Sequence, residues 1–241
     1  MILYMKLIPS AIKPLKRKTW KPLVIDGDGA LYDSKFGGTP WLGEDESWPT
    51  CRHCGKPMPL FLQLNLITLP ETPRKEFGEG FLQLFYCTGN DPHCESECDA
   101  FFPFTKSKLV RIIESAGGSH PLDIPDTDSI CTPKCIIAWE ERDDYPSWEE
   151  GEEYSLKLSH EEWKIFAEQG FPRSGDKLAG WPDWIQGIEY PYCPLCNERM
   201  RLIFQLDSND HVPYMFGDLG CGYITQCPAH TNQVAFAWAC S

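Results

Sequence analysis

Short apolar runs bounded by turn residues recur along this chain. Four of them occupy residues 59–67, 81–87, 201–208 and 223–227, and most of their positions are Leu, Ile, Phe, Tyr or other strand-compatible residues. Runs this short are typical of strands, because a helix needs a longer stretch with a period near 3.6 residues. The pattern therefore predicts a mainly β fold, α+β with few helices, in which these strands pair antiparallel.

One helix is predicted in the polar middle of the chain. Ser159 is followed three residues later by Glu162, and the apolar residues Trp163 and Phe166 come next. This arrangement is a capping box, in which the Ser and Glu side chains satisfy free backbone N–H groups at a helix start. We expect a helix that begins here and ends near Gly170.

The second half of the chain repeats the first at one constant shift. The shift is the one that brings the Cys-x-x-Cys motif at 51–54 onto the motif at 193–196. The same shift brings Gly38, Pro40, Pro49, Met58, Leu60, Gln63 and Leu64 onto Gly180, Pro182, Pro191, Met200, Leu202, Gln205 and Leu206. Many matches at one shift indicate an internal duplication. Gln63 and Gln205 are expected to satisfy buried backbone groups.

The duplication divides the chain into four parts. We expect a basic N-terminal arm over residues 1–33, solvated and partly ordered, and a first β-rich repeat over 34–120. An acidic insertion with one helix follows over 121–177, and a second β-rich repeat occupies 178–241. The two strand-rich halves each carry a zinc-ribbon-like cysteine cluster and are expected to form one compact domain.

The net charge of the chain is −13 at pH 7 and is unevenly distributed. The first charged residues, from Lys6 to Lys21, are all basic, whereas the densest acidic stretch runs from Glu140 to Glu153. Phosphate backbones repel an acidic protein, so we expect no nucleic-acid partner. A basic protein partner suits the charge. The acidic stretch itself is expected to be a solvated loop, with a binding surface as the alternative.

Targeting and membrane segments are not evident in the sequence. No apolar run reaches the roughly 20 residues of a membrane span. The apolar N-terminal stretch is interrupted by Lys6, and no small-residue cleavage site follows it. We therefore expect a cytoplasmic protein without a membrane partner, and its oligomeric state stays open.

The twelve cysteines of a chain without a secretory signal indicate metal binding rather than disulfides. A Cys-x-x-Cys turn supplies two ligands of a structural zinc site, and a strand that returns to the turn supplies the others. In each half the second predicted strand ends at a cysteine, and the spacing from the motif to that cysteine is similar in the two halves. We predict two zinc ions, with ligands Cys51, Cys54, Cys87 and Cys94 in the first site and Cys193, Cys196, Cys227 and His230 in the second.

Some of these ligands have rivals in the sequence. Cys98 competes with Cys94, and Cys221 or Cys240 competes with His230. Four protein ligands would make each zinc structural, because no coordination position is left for water or substrate. A site with only three protein ligands would instead permit catalysis.

Two further cysteines, Cys131 and Cys135, have a spacing that would suit an additional site. Partly buried free thiols are the favoured interpretation of this pair, because a reduced cysteine packs like a small apolar side chain.

Enzyme motifs are weak in this sequence. No Gly-x-Ser-x-Gly elbow, P-loop, Rossmann glycine set or His-Glu-x-x-His is present. His160 and Glu162 precede the motif at 193–196 as in zinc deaminases, but Tyr192 stands where those enzymes have Pro. We interpret His160 and Glu162 as the first turn of the capped helix, and we expect no catalytic residues.

Several segments together resemble a bacterial family. These are FGGTP at 36–40, WP at 48–49, PLFLQLNL at 59–66 and the closing stretch from MFGDLGCGYITQCPAH at 215–230 to AFAWAC at 235–240. From about residue 34 onward the chain resembles the YwqG-like family, a bacterial domain of unknown function. The resemblance implies a mostly β fold, and some members are suspected immunity proteins because their genes lie near toxin genes.

A more distant resemblance links the chain to the programmed-cell-death-protein family of eukaryotes. It rests on GGTPWLG at 37–43, CRHCG at 51–55, FLQ at 61–63 and FYC at 85–87, although the first segment lacks the residue that the family has between Pro and Trp. Members of that family bind zinc and act as chaperones for a small-subunit ribosomal protein. By analogy, this implies an acidic protein that holds a basic client.

The sequence thus predicts a non-enzymatic, zinc-stabilised protein-binding module, chaperone-like toward a basic client. A toxin-neutralising immunity protein and a zinc-dependent hydrolase or deaminase are the alternatives.

Overall fold

The predicted strands belong to one antiparallel sheet in this computed structural model, which describes residues 8–44, 46–90, 92–114, 125, 127 and 132–241. The strands are β1 (Arg17–Asp26), β2 (Lys35–Phe36), β3 (Leu60–Asn65), β4 (Phe81–Tyr86), β5 (Lys108–Ile113), β6 (Lys134–Asp144), β7 (Lys177–Ala179), β8 (Arg201–Asp207), β9 (Cys221–Gln226) and β10 (Val234–Ala239). The α-helices are α1 (Glu71–Phe77), α2 (Cys94–Glu97), α3 (Trp148–Glu153) and α4 (His160–Ala167). None of these helices has the length and apolar character needed to cross a membrane. The boundary predicted at residue 120 lies outside the described residues.

The strand order of the sheet is symmetric about its centre. From one edge to the other it runs β10-β9-β8-β7-β1-β6-β2-β3-β4-β5. Each of the strands β1–β5 has its counterpart in β6–β10 at the mirrored place in this order, so β2–β5 and β7–β10 are two copies of one four-stranded unit. The mainly β fold is therefore confirmed, and the duplication is visible in its topology.

Each four-stranded unit is preceded in the chain by one more strand of its copy, β1 or β6, and this strand pairs with the other copy. β1 pairs with β7, β6 pairs with β2, and β1 and β6 pair with each other at the centre of the sheet. The central ladder extends from Arg17 opposite Asp144 to Asp26 opposite Lys134. Neither copy is complete without a strand that the other copy supplies.

Burial on both faces explains the composition of the strands that the sequence predicted. Every residue of β4, β9 and β10 is buried, as is all of β3 except its last residue. The edge strands β5 and β10 approach each other, which curves the sheet around a core that includes Tyr86, Phe204, Phe216 and Phe236. A large apolar side chain contributes about 1.5–3 kcal/mol on burial, so most positions of these strands are apolar.

The N-terminal segment differs from the arm that the sequence suggested. Its residues 17–26 form β1 at the centre of the sheet, with Trp20 in the core. The segment is polar because some of its side chains form cross-strand ion pairs. The ammonium of Lys18 lies 2.7 Å from Glu141 and 2.9 Å from Asp143. Such exposed pairs contribute at most about 1 kcal/mol each, so they favour the strand register more than they stabilise the fold.

The acidic stretch also differs from the solvated loop that was expected. Its first part lies in β6, where it supplies acidic partners of β1. Its second part forms α3, which is capped by Ser147, because Ser147 Oγ accepts from the Glu150 N–H at 3.3 Å.

The helix that the sequence predicted is α4. Ser159 Oγ accepts from the Glu162 N–H at 3.3 Å, and Glu162 Oε2 accepts from the Ser159 N–H at 2.8 Å. This region therefore holds a central strand and two helices instead of one helix.

Each copy anchors the loop after its shortest strand with a buried lysine. Lys35 Nζ donates to Asp28 Oδ1 at 2.8 Å and to the Thr39 carbonyl at 3.2 Å. Lys177 Nζ donates to Asp144 Oδ2 at 3.0 Å and likewise to the carbonyl four residues further on. Both carboxylates also accept the N–H of that same loop residue. This repeated bridge links each loop to the first strand of its copy. The carboxylate that binds Lys35 lies just after β1, and the carboxylate that binds Lys177 lies at the end of β6.

The glycine and glutamine matches of the repeat are explained by the same loops. Gly38 and Gly180 have φ of +76° and +85°, and a Cβ on either would lie 2.2 or 2.5 Å from the carboxylate that holds the lysine. Only glycine suits such a close approach in this conformation. Gln63 Oε1 and Gln205 Oε1 each accept a loop N–H, at 2.7 and 2.8 Å, which confirms that they satisfy backbone groups.

The buried lysines provide a graded test of this fold. We expect Lys177→Met to lower the free energy of unfolding by about 3 kcal/mol, because it leaves the fully buried Asp144 carboxylate without its counter-charge. Lys35→Met should cost less, because its partner Asp28 is 33% exposed to water. Urea unfolding measures both, with the exposed Lys75→Met as the control, expected within about 0.5 kcal/mol of the unmodified protein. Equal losses for Lys177→Met and Lys75→Met would contradict the role of the buried bridge.

Candidate metal centres

The first predicted ligand set comes together at one corner of the first copy. Cys51 and Cys54 occupy a turn before β3, Cys87 directly follows β4, and Cys94 is the first residue of α2. The Sγ atoms of Cys51 and Cys94 are 3.9 Å apart, and those of Cys54 and Cys87 are 3.7 Å apart. All four sulfur atoms lie within 4.8 Å of one another.

The second predicted set comes together at the equivalent corner of the second copy. Cys193 and Cys196 precede β8, Cys227 directly follows β9, and His230 lies in the turn before β10. His230 Nδ1 is 3.8 Å from Cys193 Sγ and 3.7 Å from Cys227 Sγ, and the Sγ atoms of Cys196 and Cys227 are 3.6 Å apart. These four ligand atoms also lie within 4.8 Å of one another.

The two cysteine turns have the same backbone geometry. The Gly55 N–H donates to the Cys51 carbonyl at 2.9 Å, and the Asn197 N–H donates to the Cys193 carbonyl at 2.8 Å. Both donors have left-handed backbones, with φ of +74° and +58°. Gly adopts this conformation freely and Asn is the side-chain-bearing residue that adopts it most readily. The turn thus places both thiols of each motif toward the returning strand.

The spacing of the ligand atoms fits a tetrahedral metal. With Zn–S bonds of about 2.3 Å, the sulfur atoms of a tetrahedral site are about 3.8 Å apart, and an imidazole nitrogen lies slightly closer to each sulfur. The separations of 3.6–3.9 Å are close to these edges, and the remaining pairs of ligand atoms lie within 4.8 Å of one another. Both groups can therefore hold a metal ion, and thiolate-rich sets of this kind suit zinc.

Comparison with known families assigns the chain. The model of a family described as Domain of unknown function (DUF1963) matches residues 34–240. The chain belongs to the DUF1963 family. The matched region includes both ligand groups and every strand except β1. No curated protein matches the chain.

Backbone N–H groups favour the thiolate form at one cysteine of each DUF1963 cluster. Burial disfavours the charged form of Cys54, but the Lys56 N–H and the neighbouring thiols outweigh it and lower the pKa. At Cys193 burial acts in the same direction, but the N–H groups of Leu195 and Cys196 lower the pKa to about 6. A thiol that ionises near neutral pH is ready to bind a cation.

The two clusters of the DUF1963 domain differ in their exposure. The first packs against Met58, Leu60 and Phe85 and is largely buried. The second packs against Met200 and leaves Cys196 exposed to solvent. The second cluster is therefore the more accessible to chelators and oxidants.

The other described cysteines of the DUF1963 domain are not members of either ligand group. Among the described residues, neither group includes Cys98, Cys221 or Cys240. Cys221 is buried, and its thiol donates to a backbone carbonyl at 3.2 Å. Cys135 is buried on β6 with its thiol 3.7 Å from a carboxylate, and Cys131 lies outside the described residues.

A third group, which sequence reasoning missed, joins Asp176, Asp210 and His211. Asp176 accepts from the Asp207 N–H at 2.7 Å and from His211 Nδ1 at 2.8 Å, and its own N–H donates to Asp210. These hydrogen bonds satisfy the buried carboxylate, whose pKa is raised by its desolvation. The group therefore links two loops. The first copy has Ser34 at the position that corresponds to Asp176, so the internal repeat gave no indication of this third group.

The residues that resembled a deaminase motif do not join either metal group. Glu162 is engaged in the capping box of α4, where its carboxylate accepts from both the N–H and the hydroxyl of Ser159 at 2.8 Å. His160 is the first residue of the same helix. Both residues are placed as the helix interpretation predicts.

Replacing one ligand in each cluster tests whether the sites hold metal. We expect Cys51→Ser and Cys193→Ser each to lower the free energy of unfolding by several kcal/mol, because metal binding is coupled to folding. Cys240→Ser, which changes a half-buried thiol outside both groups, is the matched control and should cost about 1 kcal/mol or less. Thermal unfolding of metal-loaded protein measures the difference. An unchanged midpoint for Cys51→Ser would rule out a structural metal at the first cluster.

Proposed function

We propose that this protein is a non-enzymatic, zinc-stabilised module that binds another protein. The observation that carries the proposal is the closed geometry of both clusters, each of which offers four ligand atoms within 4.8 Å of one another. A zinc ion with four protein ligands has no position for a substrate or an attacking water, so it stabilises structure and performs no chemistry. Each ion would tie the turn before one strand to the end of the next.

An exposed groove between α3 and α4 supports a protein partner. Trp148, Leu156, Trp163 and Phe171 line this α3–α4 groove, which encloses about 720 Å³, and Trp148 is 52% exposed. Exposed apolar surface of this kind on a folded domain is typical of an interaction site. Tryptophan is also among the residues that contribute most at protein interfaces.

The charge around the α3–α4 groove favours a basic partner. Glu152 lies in its lining together with one cation, Lys164, and Glu149 and Glu161 are on the same two helices. By contrast, Glu141 and Asp143 of β6 are already paired with Lys18 of β1. The helices are thus where acidic side chains remain available to steer a basic protein toward the groove.

The family supports the same role by analogy. We regard the YwqG-like family and DUF1963 as the same family, and the more distant likeness to the programmed-cell-death-protein family suggests a client such as a basic small-subunit ribosomal protein. The described cysteines are free thiols, as in a reducing compartment. The proposal therefore places the protein in the cytoplasm.

Metal analysis tests the structural role of zinc. We expect two zinc ions per chain, one with four sulfur ligands and one with three sulfurs and a nitrogen, as measured by elemental analysis and zinc X-ray absorption. A chelator should remove the second ion first, because Cys196 is exposed. One zinc with an open, oxygen-containing shell would instead favour the hydrolase or deaminase alternative, and protein purified and refolded without metal at full stability would refute the proposal.

Binding of a basic client tests the partner. We expect a purified small-subunit ribosomal protein to bind with micromolar or tighter affinity, and the affinity to fall about tenfold between low and physiological salt. A double charge reversal, Glu152→Lys with Glu161→Lys, should weaken binding by about tenfold or more.

The matched control is Glu79→Lys with Asp218→Lys, which changes the net charge equally at exposed positions remote in sequence from the groove. Fluorescence anisotropy measures all three proteins. Equal weakening by both double variants would indicate unspecific charge attraction and contradict the groove, and no binding to the unmodified protein would contradict the chaperone-like role.

A further inference from the structure

A pocket lies where α1 of the first copy meets β1, β7 and β8. It encloses about 380 Å³, within the roughly 300–1,000 Å³ typical of small-molecule sites. Its apolar lining includes Trp20, Phe77 and Leu202, which are all buried. No metal ligand lines it, so its properties are independent of both clusters. The pocket has the size and the apolar surface to receive part of a small organic molecule.

The charge of this pocket is opposite to that of the chain. Arg17, Lys18 and Arg201 line it together with a single carboxylate, Glu76, whereas the chain as a whole has a net charge of −13. The ammonium of Lys18 is held by two carboxylates of β6 at 2.7 and 2.9 Å. The positive character of the pocket therefore comes mainly from the two guanidinium groups.

Arg17 is held in place without a direct ion pair to a described residue, although its charge also acts on the buried Glu150 carboxylate. Its Cζ atom lies 3.3 Å from the ring centroid of Trp181, and its Nη1 donates to the Gly180 carbonyl at 3.3 Å. Within the part of the chain that the structure describes, no carboxylate is in ion-pair contact with it. Stacking on an indole fixes the plane of a guanidinium and leaves its other N–H groups free to donate.

Arg201 also retains unused donors. Its Nη2 donates to the Glu76 carbonyl and, at 3.4 Å, to Gln226, and its Nη1 is 3.6 Å from the Glu76 carboxylate. Its Nε–H is buried and has no acceptor among the described residues. Because this N–H has almost no exposed surface, a bound molecule would instead contact the rest of the guanidinium side chain, which is 33% exposed.

The duplication shows that the fold does not require a cation at this position. Under the shift that aligns the two cysteine motifs, Arg201 corresponds to Pro59, between the matched residues Met58 and Met200 on one side and Leu60 and Leu202 on the other. The Met58 and Met200 N–H groups each donate to the matched proline carbonyl at 2.9 Å, so the backbone is the same in both copies. The arginine is therefore a specific addition to the second copy.

We propose that this pocket binds a small molecule through a carboxylate or phosphate group that Arg17 and Arg201 hold between them. Guanidinium groups match the paired oxygen atoms of both anions and bind them bidentately. The apolar part of the ligand packs against Trp20 and Phe77. This ligand site is separate from the proposed protein-binding role, which involves the α3–α4 groove.

Titration of the zinc-loaded, full-length protein tests the site. The probes are benzoate and phenyl phosphate, which chelate zinc only weakly, at constant ionic strength, with isothermal titration calorimetry as the measurement. We expect at least one probe to bind with a stoichiometry of one, and the one that binds identifies the carboxylate or phosphate class. Arg17→Met and Arg201→Met should each weaken that binding about tenfold or more, because each removes one charged, bidentate partner.

Two control variants make the outcome decisive. Lys75→Met removes an exposed cation from α1 outside the pocket and should leave the affinity unchanged. Arg201→Lys keeps the positive charge but loses the bidentate geometry of the guanidinium, so it should weaken binding several-fold. This variant keeps the test valid even if Arg201→Met fails to fold. Zinc content and the unfolding midpoint of each variant report folding. No binding of either probe, or an unchanged affinity in both Arg201 variants, would overturn the proposal.

Discussion

The pairing of β1 with β6 is the constraint on which the rest of this molecule depends. These are the longest strands of the sheet, and each also pairs with the short strand of the opposite copy. The register of this ladder brings Lys18 of β1 beside Glu141 and Asp143 of β6. It also places Asp144, the last residue of β6, where it can hold Lys177 and the loop that follows. The two halves thereby share one core.

The outer corners of the sheet depend on a different chemistry. There the thiol clusters bring the turns before β3 and β8 together with the ends of β4 and β9. The segments that differ between the copies, α3 and α4 on one side and α1 with Arg201 on the other, are the ones that carry the proposed binding surfaces.

The features that were predictable from the sequence are those whose signal is local or repeated. The cysteine spacing recurs in both halves, and all eight predicted ligands are found together in their two groups. The four apolar strands and the capping box of α4 need only their immediate neighbours to be recognised. β1 was not recognisable as a strand, because its lysines are explained only by carboxylates on a strand far along the chain. The bridges of Lys35 and Lys177 were hidden for the same reason, since a lone lysine in a sequence indicates solvent exposure.

The exchange of first strands has a consequence for how the protein is made. β1 ends at Asp26, whereas β6 begins only at Lys134, and β7, the other neighbour of β1, is translated later still. The residues of β1 therefore leave the ribosome long before β6 or β7 has been translated, and until then both edges of β1 are unpaired. Contacts between such distant segments form slowly, and unpaired edges favour association with other chains. The lysines and arginine of β1 in one nascent chain repel those in another. The charges that later favour the strand register therefore also disfavour association of unpaired β1 strands from different chains.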